Sequence, residues 1–132
     1  MHIDYAERAR ALVGTRFRPQ GRGTEGLDCV GVVIAAFRID AAQVRRDYSL
    51  RSHEQREVEQ ALGEYFRRVA VTAIRAGDVM LISVDADRLH LGVRTLGGFV
   101  HANAGIRLVV ETPGLPHWPV LSAWRARARR RG

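Results

Sequence analysis

The chain has 132 residues, 46% of them hydrophobic, and a formal charge of +7 whose 21 basic residues are all arginine. That length suits one domain with a real core, and no stretch approaches the roughly 20 apolar residues of a membrane span. The single cysteine excludes an internal disulfide framework and a cysteine-rich zinc site.

A basic surface suits nucleic acid, an acidic partner or an anionic polymer such as a cell wall. Here the arginines are spread along the chain, and the one dense run is the tail "WRARARRRG". We read that tail as a frayed, solvated terminus in preference to a nucleic-acid arm, since no interleaving of aromatic and basic residues supports one. The opening "MHIDYAERAR" has charges where a signal peptide needs an apolar region. No repeat, low-complexity tract or linker divides the chain, so residues 1–132 are taken as a single domain.

Asp4 followed by Glu7 can cap a helix, and Tyr5, Ala9, Leu12 and Val13 follow helical spacing up to a stop at Gly14. Residues 14–27 hold four glycines and a proline and predict a loop. In "DCVGVVIAAF" Asp28 is a good N-cap, and an apolar run on every side predicts a buried helix; its β-branched residues make a strand the competing assignment. Ser52 with Gln55 forms a second capping box. It opens a stripe of Val58, Ala61, Leu62, Tyr65, Phe66 and Val69 that predicts a helix over 53–69. From "GDVMLISV" onward the period is that of strands: "LHLGVR" and "FVHAN" turning at Gly97–Gly98, then "IRLVVET". "VLSAWRAR" is a final strand or short helix. Helices first and antiparallel strands after them predict an α+β domain.

Cys29 sits one residue after the proposed cap, in the first turn of the buried helix. A helix N-terminus favours a thiolate and offers free N–H groups to an oxyanion. On this segment alone the plainer reading, a core thiol, takes precedence, because free cysteine is among the most buried residue types. The histidines reverse that order. His2, His53 and His117 are read as surface residues without a role. His90 and His101 fall inside the two strands of one predicted hairpin. With the turn centred near Leu96–Gly97, His90 opposes Asn103 and His101 is its diagonal neighbour on the same face. One imidazole can then contact Cys29 while the other orients it, the logic of a nucleophile, base and orienting group. Asp28 either only caps the helix or also presents a carboxylate to a substrate amine. A metal held by His90, His101 and Asp28 is a weaker alternative, since no tight ligand spacing supports it.

"GTRFRPQGRGTEGLDCVGVV", "RAGDVMLI", "LHLGV" and "FVHA", in that order, resemble the NlpC/P60 cysteine peptidases from about Ala9 to Val110. The resemblance implies a compact papain-like fold in which the cysteine opens a buried helix packed on an antiparallel sheet. It implies hydrolysis of peptidoglycan stem peptides, typically between D-glutamate and a diamino acid, without a cofactor. By motif it makes Cys29 the nucleophile, His90 the base and His101 the orienting residue, with a thiolate–imidazolium pair whose thiol alkylates quickly near pH 6. Two positions depart from the family pattern: Phe17 stands where tyrosine is usual and Val30 where serine is usual. With Asp28, those positions hold the substrate's N-terminal end in family members, so substrate contacts are altered while the catalytic residues are kept.

The "DCVG" form, the size and the opening without a signal peptide are similar to the subgroup carried on phage tails and gene-transfer-agent particles. That similarity implies synthesis in the cytoplasm, particle proteins as partners, and action at the wall after delivery. Two other readings stand beside the enzyme. One is a weakly active or inactive tail domain that keeps the fold and binds a partner; the other is a related cysteine amidase or acyltransferase.

Overall fold

The computed structural model describes residues 3–19, 21–23, 26–44 and 50–127. Helix α1 (Tyr5–Arg10) starts where its cap predicts, with the Asp4 carboxylate accepting the Glu7 N–H at 3.0 Å. The loop that follows contains a two-residue hairpin, β1 (Arg22–Gly23) and β2 (Gly26–Leu27), which the glycine content of the sequence conceals. Helix α2 (Cys29–Phe37) is capped by Asp28, whose Oδ1 accepts the Gly31 N–H at 2.7 Å. Its Val32, Val33, Ile34 and Ala36 are all buried, the outcome that an apolar helix in water requires. Arg38 closes it in the left-handed region, at φ 53°.

Helix α3 corrects two expectations. It runs only over Gln55–Tyr65, behind a short 3₁₀ turn at Ser52–Glu54. Ser52 does not cap it, for its hydroxyl is buried without a partner among the described residues. Residues Phe66–Val69 leave the helix and become strand β3, pairing antiparallel with β8 (Val120–Ala126). The apolar spacing of Phe66 and Val69 fits either structure; the open edge of β8 decides for the strand.

Strands β4 (Val79–Ser83), β5 (Leu89–Arg94), β6 (Gly98–Asn103) and β7 (Leu108–Pro113) complete a six-stranded antiparallel sheet in the order β3-β8-β4-β5-β6-β7. Alternation of side chains along each strand gives the sheet two apolar faces. One face, with Val79, Leu81, Leu89, Leu91, Val93, Val100, Ala102 and Val109, packs under α2 together with Cys29. The other carries Met80, Ile82 and Phe99, covered in part by Ile74, Trp118 and Val120.

The reading of the tail as a frayed terminus is corrected at its start. Trp124, Arg125 and Ala126 lie in β8, and residues 128–132 fall outside the described set. Arg125 makes a two-pronged contact with Asp78, with Nε to Oδ1 and Nη2 to Oδ2 both at 2.8 Å. Asp78 is 1% exposed and also accepts the Arg75 N–H at 2.8 Å. Removing the guanidinium leaves a buried carboxylate with one donor, so Arg125→Ala should cost about 3 kcal/mol. A urea titration with an unshifted midpoint would show that the pair contributes nothing.

Candidate active site

The site forms where β5 and β6 part. Their ladder pairs only Val93 with Val100 and Arg94 with Phe99. That is the register expected from the turn, but it lapses before reaching the histidines. The diverging ends, with the N-terminus of α2 and the loop before β1, enclose a cavity of about 400 Å³. Asp28, Cys29, His90, His101, Phe17 and Trp118 are among the side chains that line it.

Cys29 arrives there because α2 begins at that point. The close approach of α2 to the preceding loop depends on Gly31, where a Cβ would lie 2.1 Å from the Gly21 carbonyl oxygen. Gly31→Ala therefore forces backbone apart and should destabilise by about 1–3 kcal/mol. Thermal unfolding reads this directly, and an unchanged melting temperature would mean that the loop yields freely. The thiol is enclosed, with the residue 8% exposed, and meets the β5 backbone at Leu91.

The two imidazoles contact each other. Nε2 of His90 lies 2.9 Å from Nδ1 of His101, with the rings edge to face at 85°. Nε2 of His101 lies 2.8 Å from Thr112 Oγ1. His101 is 4% exposed and stacks on Phe99 at 4.5 Å between centroids. His90 is half-buried, and its Nδ1 has no hydrogen-bond partner among the described residues. Neither imidazole is hydrogen-bonded to the thiol. Strand alternation explains this separation. Leu89, Leu91 and Ala102 face α2 with Cys29, while His90 and His101 turn to the Phe99 side, and the two sets meet only in the gap between the strands.

The electrostatics of this enclosed gap set a resting state different from the expected ion pair. Burial and the neighbouring Asp28 carboxylate push the Cys29 thiol up to about 12, against backbone hydrogen bonds from Leu91, Val30 and Cys29 itself. Burial, then the adjacent His101, brings His90 down to about 4; burial brings His101 down to about 4. At neutral pH all three groups are uncharged. Iodoacetamide should therefore label Cys29 slowly at pH 6, roughly tenfold faster per pH unit above that. Fast, pH-independent labelling at pH 6 would instead mark a resting thiolate.

The other sequence-derived positions divide. Asp28 and Phe17 border the cavity, while Val30 is half-buried against the core and does not line it. His53 and His117 are exposed, and His2 lies outside the described residues. Among the described residues no group of three or more His, Cys, Asp or Glu side chains is placed to hold a metal ion, which leaves the metal alternative without a ligand set. No described helix is long and apolar enough to cross a membrane. Thr112 was not singled out from the sequence. The turn after Asn103 was the available signal, because it sets His101 opposite Val110 and Thr112 diagonal to it.

No family model matches the chain. It is 26% identical over 106 residues to the murein DD-endopeptidase MepS/murein LD-carboxypeptidase of Escherichia coli K12, covering 80% of this chain and 51% of that protein. The chain thus spans about half the length of the curated relatives it matches. Among solved structures it is similar to NlpC2 of Trichomonas vaginalis, with a TM-score of 0.67 at 19% identity, covering 95% of this chain and 46% of that one. It is similar also to RipD of Mycobacterium tuberculosis, described as a non-catalytic NlpC/p60 domain protein adapted to peptidoglycan binding. That TM-score is 0.57 at 16% identity, over 92% of this chain and 94% of the other. The fold is that of NlpC/P60 domains.

Proposed function

We propose that this domain is a cysteine hydrolase that cleaves amide bonds in peptidoglycan stem peptides. The observation that carries the reading is the convergence, in one cavity, of a thiol on the first turn of a buried helix with a two-histidine chain ending at His90 Nδ1. The likeness to a murein endopeptidase supports the substrate class. In the reaction the Sγ–H proton passes to His90 Nδ1 as sulfur attacks the amide carbonyl. N–H groups of the first turn at Cys29 and Val30 lie at the thiol and can hold the oxyanion. His90 then gives its proton to the leaving amine and activates the water that releases the acyl enzyme. Since the resting groups are neutral, proton transfer accompanies attack.

The finer reading is a bond between D-glutamate and a diamino acid, in a protein delivered to the wall on a phage-tail or gene-transfer-agent particle. Mass spectrometry of muropeptides after incubation with the protein tests activity and bond together. New fragments from cleavage at one amide bond are expected, and an unaltered digest sinks the enzymatic reading. Immunodetection in purified particles tests the delivery route; protein absent from every particle fraction removes it.

A second reading is favoured by one observation, the absence of a thiol–imidazole hydrogen bond beside a thiol held at about 12. Together with the likeness to RipD, it describes a domain that binds the wall without turnover. Co-sedimentation with insoluble peptidoglycan, without released fragments, is the result that distinguishes it.

A further inference from the structure

The chain of contacts from His90 does not stop at His101, and its last member decides what the first can do. A neutral imidazole carries one ring proton. Of the two nitrogens facing each other at 2.9 Å, His90 Nε2 and His101 Nδ1, one must donate and the other accept. Two arrangements satisfy the whole chain. In the first, His90 Nε2–H donates to His101 Nδ1, and His101 Nε2–H donates to Thr112 Oγ1; His90 Nδ1 is then bare and can take a proton. In the second, the Thr112 hydroxyl donates to His101 Nε2, His101 Nδ1–H donates to His90 Nε2, and His90 Nδ1 already holds its proton. Only the first leaves a base.

We infer that Thr112 is a positioning residue that accepts the His101 Nε2–H and so keeps His90 in the tautomer with a bare Nδ1. This rests on the proposed hydrolase reading for its consequence, though not for its geometry. Three features hold His101 for the role. Its ring lies flat on Phe99, at an interplanar angle of 24°. Its Nε2 is 2.8 Å from the hydroxyl. Phe99, His101 and Thr112 share one face, because β6 and β7 pair Phe99 with Thr112 and His101 with Val110. Thr112 is half-buried at the sheet edge, which leaves water within reach of its own proton when the oxygen accepts.

Thr112→Val keeps the branched shape that a strand favours and deletes the hydroxyl, acceptor and donor together. An enclosed His101 Nε2–H then has no partner, and a bare Nε2 is the less costly orphan, so the ring protons shift to the Nδ1 positions of the second arrangement. Nitrogen-15 NMR of the imidazoles, at a pH well above 6.5, reads the tautomers directly. The wild type should show both His90 and His101 protonated at Nε2. Thr112→Val should move both protons to Nδ1 and lower kcat by about tenfold or more, out of the roughly 10²–10⁴-fold that a positioned base supplies. Thr112→Ser should retain the wild-type tautomers and rate. A wild-type spectrum with His90 protonated at Nδ1 overturns the inference without any variant. So does a Thr112→Val spectrum identical to wild type, or a Thr112→Ser variant as altered as Thr112→Val. If the wild type releases no fragments from peptidoglycan, the hydrolase reading fails alone, and the tautomers still decide the role of Thr112.

Discussion

Cys29→Ala should abolish release of muropeptide fragments, a loss of roughly 10⁴-fold or more, while leaving the domain folded. The size of the effect follows from chemistry: no other thiol exists in the chain, and among the described residues that line the cavity there is no hydroxyl to replace it. Folding survives because alanine keeps the helix and forfeits only one sulfur from a large cluster of buried residues. The buried thiol is neutral, so no charge is lost with it. His90→Ala should fall nearly as far, since the proposed reaction uses His90 Nδ1 as its base. His101→Ala should fall less, since it removes the group that orients the base and not the base itself. Unchanged hydrolysis by Cys29→Ala would place the chemistry elsewhere. Equal rates in wild type, His90→Ala and His101→Ala would dissolve the triad even if the cysteine proved essential.

The second large effect is on stability in acid. His90 and His101 titrate near 4 in the folded chain, against 6.5 when free. A depressed imidazole means that the unfolded state binds protons first as pH falls. The stabilising difference is therefore whole above 6.5 and is lost progressively down to 4. Each histidine accounts for at most about 3 kcal/mol on this basis. The two titrate as a coupled pair, because protonating one raises the cost for the other across a 2.9 Å contact. Urea midpoints between pH 7.5 and 4.5 should fall steeply for the wild type and more gently for a His90→Gln/His101→Gln variant. Parallel slopes for the two proteins would show that neither imidazole is held neutral by the fold.

Features that depend on a few neighbouring residues could be read from the sequence. Asp4 and Asp28 cap their helices because a cap is a contact over three residues, and the side chain and the N–H that donates to it travel together. The α+β class followed from the change of period after Ala76, and the hairpin register followed from the turn between β5 and β6. The meeting of His90 and His101 is a consequence of that local register.

Wherever two distant segments compete for the same backbone or the same space, the tertiary structure decided. Phe66–Val69 fit a helical stripe until β8 presented an edge to pair with. Ser52 had the sequence of a cap and no helix end to cap. Arg125 was one of many tail arginines until the fold set it against Asp78. The candidate site divides the same way. Its candidate residues could be named from the sequence, because reactive side chains announce themselves by type. Their protonation could not, because burial shifts a thiol upward and imidazoles downward only once six strands and a helix have excluded water. Thr112 was missed for the same reason: a hydroxyl has no special chemistry until a second hairpin places it 2.8 Å from His101.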